Sequence, residues 1–63
     1  MLDKYITKMR RRGFDYAMIE RYHNGSWMLV FTNGDTEVSG EGDTLAAAIE
    51  ECEVCFAEGG YSA

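Results

Sequence analysis

The chain has 63 residues, of which 46% are apolar and 27% charged, with two cysteines, no proline and a formal net charge of −5. A domain of this length buries only about 60% of the surface its unfolded form exposes, so it holds one thin core and has no room for a cleft that encloses a large substrate. The apolar content excludes a disordered polymer, and no apolar run approaches the roughly 18–20 residues of a membrane span.

Charge is distributed unevenly. All six basic residues (Lys4, Lys8, Arg10, Arg11, Arg12 and Arg21) lie in the first 21 positions and, set against Asp3, Asp15 and Glu20, give that segment +3. From Tyr22 onward Asp35, Glu37, Glu41, Asp43, Glu50, Glu51, Glu53 and Glu58 stand without a base, a segment of −8. Such asymmetry either creates separate basic and acidic surfaces or reflects the solvation of two different helices. One domain, 1–63, is expected. The charges scattered through MLDKYITKMRRRG fit neither a signal peptide nor an anchor, and two cysteines without a secretory signal suggest free thiols in a reducing, cytoplasmic setting.

In chain order, Leu2, Tyr5, Ile6 and Met9 fall on one helical stripe. Lys8 and Arg10–Arg12 crowd the last turn, where the helix dipole favours cations. Gly13 is placed to stop the helix and Phe14 to pack back on Met9. The expected helix is Leu2–Arg12.

Two Asn-Gly pairs follow, in HNGS (His23–Ser26) and TNGD (Thr32–Asp35), each the sequence signal of a tight hairpin. They predict a meander of Phe14–Tyr22, Trp27–Thr32 and Thr36–Gly40. With two-residue loops, Tyr22–Trp27, Glu20–Leu29 with Val38, and Met18–Phe31 with Thr36 share one face. Arg21–Met28 with Ser39, and Ile19–Val30 with Glu37, share the other. The first face is expected to carry the core, although Glu20 sits awkwardly in it. Ile19, Met28 and Val30 then form an apolar patch on the outer face.

Leu45, Ala48, Ile49, Cys52, Cys55 and Phe56 form a second helical stripe, capped by Asp43 or Thr44 and ended by Gly59-Gly60. Residues 59–63 are expected to be a loose tail. The predicted fold is α+β in the order α-β-β-β-α: a three-stranded antiparallel meander with both helices packed on its Trp27/Leu29/Phe31 face.

Cys52-Glu-Val-Cys55 has CxxC spacing, but there is no second pair and His23 is the only histidine. Structural zinc wants four ligands, and a redox thiol wants a helix N-terminus. These thiols lie near a helix C-terminus among glutamates, so core packing is the better reading and no metal or other cofactor is expected. No acid–base constellation suggests an enzyme. Lys8, Arg10, Arg11 and Arg12 are candidates for phosphate contact, set against their service as dipole-matched cations; direct nucleic-acid binding is disfavoured in so acidic a chain.

The α-β-β-β-α order is shared with double-stranded RNA-binding domains. The lysine cluster that opens their second helix is replaced here by Asp43-Thr44-Leu45-Ala46-Ala47, so that mode of RNA binding is rejected. YAMIERYHNGSWMLVF (Tyr16–Phe31) and GEGDTLAAAIEECE (Gly40–Glu53), with Gly42-Asp43-Thr44-Leu45 as the most specific element, resemble the N-terminal region of HicB-type antitoxins. An N-terminal helix before the first strand, and Asn33-Gly34 in place of a longer proline-containing loop, depart from that family. The resemblance implies a small non-enzymatic protein that binds and blocks another protein, often a basic ribonuclease.

The expected function is therefore occlusion of a basic, nucleic-acid-handling protein, a nuclease or toxin, by an accessory inhibitor of phage or mobile-element type. Glu37, Glu41, Asp43, Glu50, Glu51 and Glu53 would supply the acidic surface, with Ile19, Met28 and Val30 as apolar anchors. A homodimeric structural subunit using the Ile19/Val30/Met28 face, and nucleic-acid binding through Lys8–Arg12, are the alternatives.

Overall fold

Helix α1 (Leu2–Arg11) stops as its sequence requires. In the computed structural model, which describes residues 1–63, the amides of Gly13 and Phe14 donate to the carbonyls of Arg10 and Met9, both at 3.0 Å. This double bond is the Schellman arrangement, and it turns Phe14 into the core beside Met9. Helix α2 (Leu45–Ala57) closes in the same way: Gly59 N–H donates to Phe56 at 3.0 Å and Gly60 N–H to Cys55 at 2.9 Å. At its start Thr44 is the N-cap, its hydroxyl accepting from Ala47 N–H at 3.1 Å.

Between the helices run β1 (Tyr16–Arg21), β2 (Trp27–Thr32) and β3 (Thr36–Gly42), and β4 (Tyr61–Ser62) follows α2. The four strands form one antiparallel sheet in the order β1-β2-β3-β4. The α+β architecture, the α-β-β-β-α order and the packing of both helices on one sheet face are as expected from sequence. The sheet has one strand more than the predicted meander. Residues 59–63, read as a tail, run back along β3: Ser62 pairs with Thr36, Tyr61 with Glu37, and Ala63 N–H donates to Asp35.

The registers differ from those of two-residue Asn-Gly loops. At the first hairpin Tyr22 N–H donates to Ser26 and Gly25 N–H to Tyr22, both at 2.9 Å, closing a three-residue loop, His23 to Gly25. Gly25 takes φ +87°, the left-handed residue that such a loop requires after its turn, and the Asn24 side chain accepts from Ser26. One extra loop residue slides β1 by one position. Ala17 now faces Phe31, Ile19 faces Leu29 and Met18 faces Val30. Every side chain of β1 thereby changes sides relative to the expectation. At the second hairpin the loop is Gly34-Asp35, held by Asn33 N–H to Thr36 and by the Asn33 side chain accepting from Asp35 and Thr36. That shift is two residues, so Phe31 faces Val38 and Leu29 faces Gly40, and the faces of β2 and β3 stand as predicted.

The core is Tyr5, Met9, Phe14, Leu29, Phe31, Val38, Ala48, Cys52 and Cys55, with Ala17, Ile19 and Trp27 packed at its margin. Tyr5 meets Phe31 edge-on at 5.4 Å, joining α1 to the sheet. α2 lies on β3 at a distance only glycine permits. A methyl group on Gly40 would stand 2.3 Å from the Ala48 carbonyl and 2.5 Å from the Cys52 nitrogen. One on Gly42 would stand 2.7 Å from the Ala47 methyl. The alanine-rich first half of α2 is the complementary surface: small side chains facing an absent one.

Candidate functional site: an open sheet face with an acidic rim

The helices cover one side of the sheet, and no element covers the other. Across that open side the strand pairings set Tyr16 beside Thr32, Glu37 and Tyr61; Met18 beside Val30 and Ser39; and Glu20 beside Met28 and Glu41. Tyr16 (59% exposed), Met18 (42%) and Tyr61 (63%) are among the most exposed large apolar groups of the chain. Of the expected anchors, Met28 and Val30 stand on this face. Ile19 does not: the three-residue loop turns it toward the helices, where it packs against the core, and Met18 takes its place on the open side. The same slip resolves Glu20, which leaves the core and stands in solvent.

The acidic residues continue this surface around β3. Past Glu37 that strand has no neighbour on its outer side, because β4 pairs only with Thr36 and Glu37. A shallow depression is lined by Met28, Ser39, Glu41 and Glu51, and a second by Glu41, Asp43, Glu50, Glu51 and Val54. Glu41 and Glu51 belong to both. The apolar row of the sheet and the outer face of α2 are thus one continuous surface, and Glu37, Glu41, Asp43, Glu50 and Glu51 contribute to it. None of these five acids forms an ion pair within the chain.

Glu53 is the exception among the six acids. Its carboxylate accepts from Lys8 Nζ at 2.8 Å, from both terminal nitrogens of Arg12, and from the Tyr5 hydroxyl at 3.2 Å. It clamps α1 to α2, so it is already satisfied within the chain and cannot serve a partner without leaving two cations unpaired. Arg12 is fixed further, its guanidinium lying 4.1 Å over the Phe56 ring. Of the four phosphate-contact candidates, Lys8 and Arg12 are therefore committed internally, while Arg10 and Arg11 stand exposed. Arg11 shares a basic groove with Lys4, Thr7, Lys8 and Arg12 along one side of α1.

The hydrogen bonds from Arg12 hold the Glu53 carboxyl at about 2, below its ordinary 4.5, against a smaller opposing effect of burial. A carboxylate whose folded pKa is depressed adds stability above its unfolded pKa, and that stability is lost as pH falls through the interval from 4.5 to about 2. With about a third of the side chain exposed, solvent screening reduces the contribution to about 1–2 kcal/mol. Glu53→Gln should therefore lower stability by about that amount at pH 7, and urea titrations of the two proteins should converge near pH 2. Parallel curves across the range would remove Glu53 from the acid response.

Both cysteines are free and buried. Burial, reinforced by the neighbouring Cys55, Glu53 and Glu51, pushes the Cys52 thiol up to about 12. Its sulfur lies 3.9 Å from the Leu29 carbonyl and directly above Gly40, which makes it a small core side chain. Alkylation of either thiol in folded protein should run at least about 100-fold slower than in urea, since access requires opening of the core. Rapid labelling of both by mass spectrometry would contradict this packing.

Comparison with protein families, with curated proteins and with solved structures returns no match to this chain. No helix is long and apolar enough to cross a membrane.

Proposed function

We propose that the chain is a non-catalytic protein-binding module that blocks a basic, nucleic-acid-handling protein by covering its working surface, as the resemblance to HicB-type antitoxins implies. The observation that carries this reading is the continuity of an uncovered apolar sheet face (Met18, Met28 and Val30) with unpaired acids on β3 and α2 (Glu41, Glu50 and Glu51). An apolar centre with a charged rim is the anatomy of a protein interface: buried anchors supply affinity, and rim charges set approach and orientation. Face-to-face self-association is disfavoured on the same surface, because its charged groups, Glu20, Glu37 and Glu41, are all acids and find no base on the same face of a second copy. The accessory, anti-defence setting and a cytoplasmic site of action belong to this proposal.

A tagged pull-down from nuclease-treated lysate of the source cell, at low and high salt, tests it. The expected result is one basic nucleic-acid-handling protein whose recovery falls with salt. Against that protein, the combined Glu41→Gln, Glu50→Gln and Glu51→Gln variant should bind about 10-fold more weakly at low salt, mainly through a slower association rate. The difference should shrink at high salt. Affinity that ignores both salt and these substitutions would overturn the acidic-rim reading.

A further inference from the structure

The outer edge of β1 is the one sheet edge along which a whole strand is left unpaired. β1 bonds only to β2, whereas the opposite edge is partly paired by β4, which leaves only residues 38–42 of β3 without a neighbour on that side. Tyr22 N–H bonds across to Ser26, and antiparallel strands alternate, so the even-numbered residues of β1 spend their backbone groups on β2. The backbone N–H and C=O groups of Ala17, Ile19 and Arg21 therefore point outward. Exposed strand edges are ordinarily blunted by proline, bulges or lysine. β1 has none of these, its two charges, Glu20 and Arg21, are confined to one end, and its open side also carries Tyr16, Met18 and, just beyond its end, Tyr22.

We propose that this edge pairs with the same edge of a second copy, antiparallel and two-fold symmetric, with Met18 facing the partner's Met18. This pairing goes beyond the partner-blocking reading and does not depend on it. Charge complementarity selects the occupant and the register. With Met18 on the axis, Ala17 faces the partner's Ile19, and both expose backbone groups outward, as ladder bonding requires. Asp15 then faces the partner's Arg21, and the reciprocal pair forms at the other end. Tyr16 faces the partner's Glu20, which keeps the two Glu20 carboxylates apart. The acid-rich outer edge of β3 lies two strands, roughly 10 Å, further across each sheet, so the segments of −8 do not meet. The product is one continuous sheet whose open sides join into a single larger binding surface.

Sedimentation equilibrium over a concentration series tests the pairing, with circular dichroism to confirm that each variant folds. The wild-type chain should show reversible dimerisation. Asp15→Arg, which sets arginine against the partner's Arg21, should raise the dimer dissociation constant roughly 10-fold or more. The exchange Asp15→Arg with Arg21→Asp should restore it. Met18→Lys, at a residue outside the core cluster, should also give monomer. A wild-type chain that stays monomeric throughout the series overturns the proposal and leaves the edge to a strand of a different protein. A dimer that ignores Asp15→Arg, or that the charge exchange fails to restore, overturns it equally.

Discussion

Replacing Gly40 by alanine is expected to cost at least about 3 kcal/mol, the upper range for forcing an extra group into a packed core. The added methyl would meet the Ala48 carbonyl oxygen and the Cys52 nitrogen, both backbone atoms of α2, at distances no side-chain rotation relieves. Relief requires α2 to rise from β3, which withdraws Ala48, Cys52 and Cys55 from the core together. A chain of this length has a total stability of about 3–9 kcal/mol, so the variant should be largely unfolded or close to it. Urea unfolding followed by circular dichroism gives the number. Gly25→Ala is the control: its φ of +87° strains alanine, but nothing lies within 4 Å of the new methyl. It should cost only about 1–2 kcal/mol. Gly40 itself carries no left-handed φ, so a loss there no larger than at Gly25 would show that α2 yields to the added methyl and would overturn the close-approach account.

This close approach was partly legible in the sequence. Gly40 and Gly42 fall two apart on the side of β3 that also presents Val38, and Ala47, Ala48 and Cys52 give α2 a run of small side chains; neither half explains itself until they are set face to face. The helix ends were fully legible, because Gly13 with Phe14 and Gly59 with Gly60 act within a few residues of the carbonyls they satisfy. The β1 register was not. Asn24-Gly25 fits a two-residue loop and also a three-residue loop with Gly25 last, and one residue of difference exchanges the faces of a strand. The unease over Glu20 in the core was the available signal. Moving β1 by one place puts Glu20 in solvent and Ala17 and Ile19 against the helices, which satisfies the pattern better. The acids Glu41, Asp43, Glu50 and Glu51 could be read as a surface because they share a helix face and an adjacent strand end. Glu53 could not be separated from them, since the arginine that engages it is 41 residues away in sequence.

Ile19→Lys and Met18→Lys should separate by about 2 kcal/mol in stability, with Ile19→Lys the damaging one. Adjacent residues of a strand point to opposite faces, so a single step along β1 crosses from the helix-covered side to the open side. Ile19 packs against the core beside Leu29, and lysine there forfeits most of the 1.5–3 kcal/mol of a buried aliphatic side chain, roughly, with its charged tip escaping past the strand edge. Met18 stands beside Val30 on the open side, 42% exposed and outside the core cluster, and lysine there should change stability by no more than about 0.5 kcal/mol. Loss of function should run the other way. Met18→Lys, folded and stable, should weaken partner capture by about 30-fold or more if the open face supplies the anchors, and Val30→Lys should behave alike. Urea midpoints and partner affinity measured on the same preparations decide the matter. A damaging Met18→Lys beside a harmless Ile19→Lys would return β1 to the register of a two-residue loop, and with it Ile19 to the binding surface.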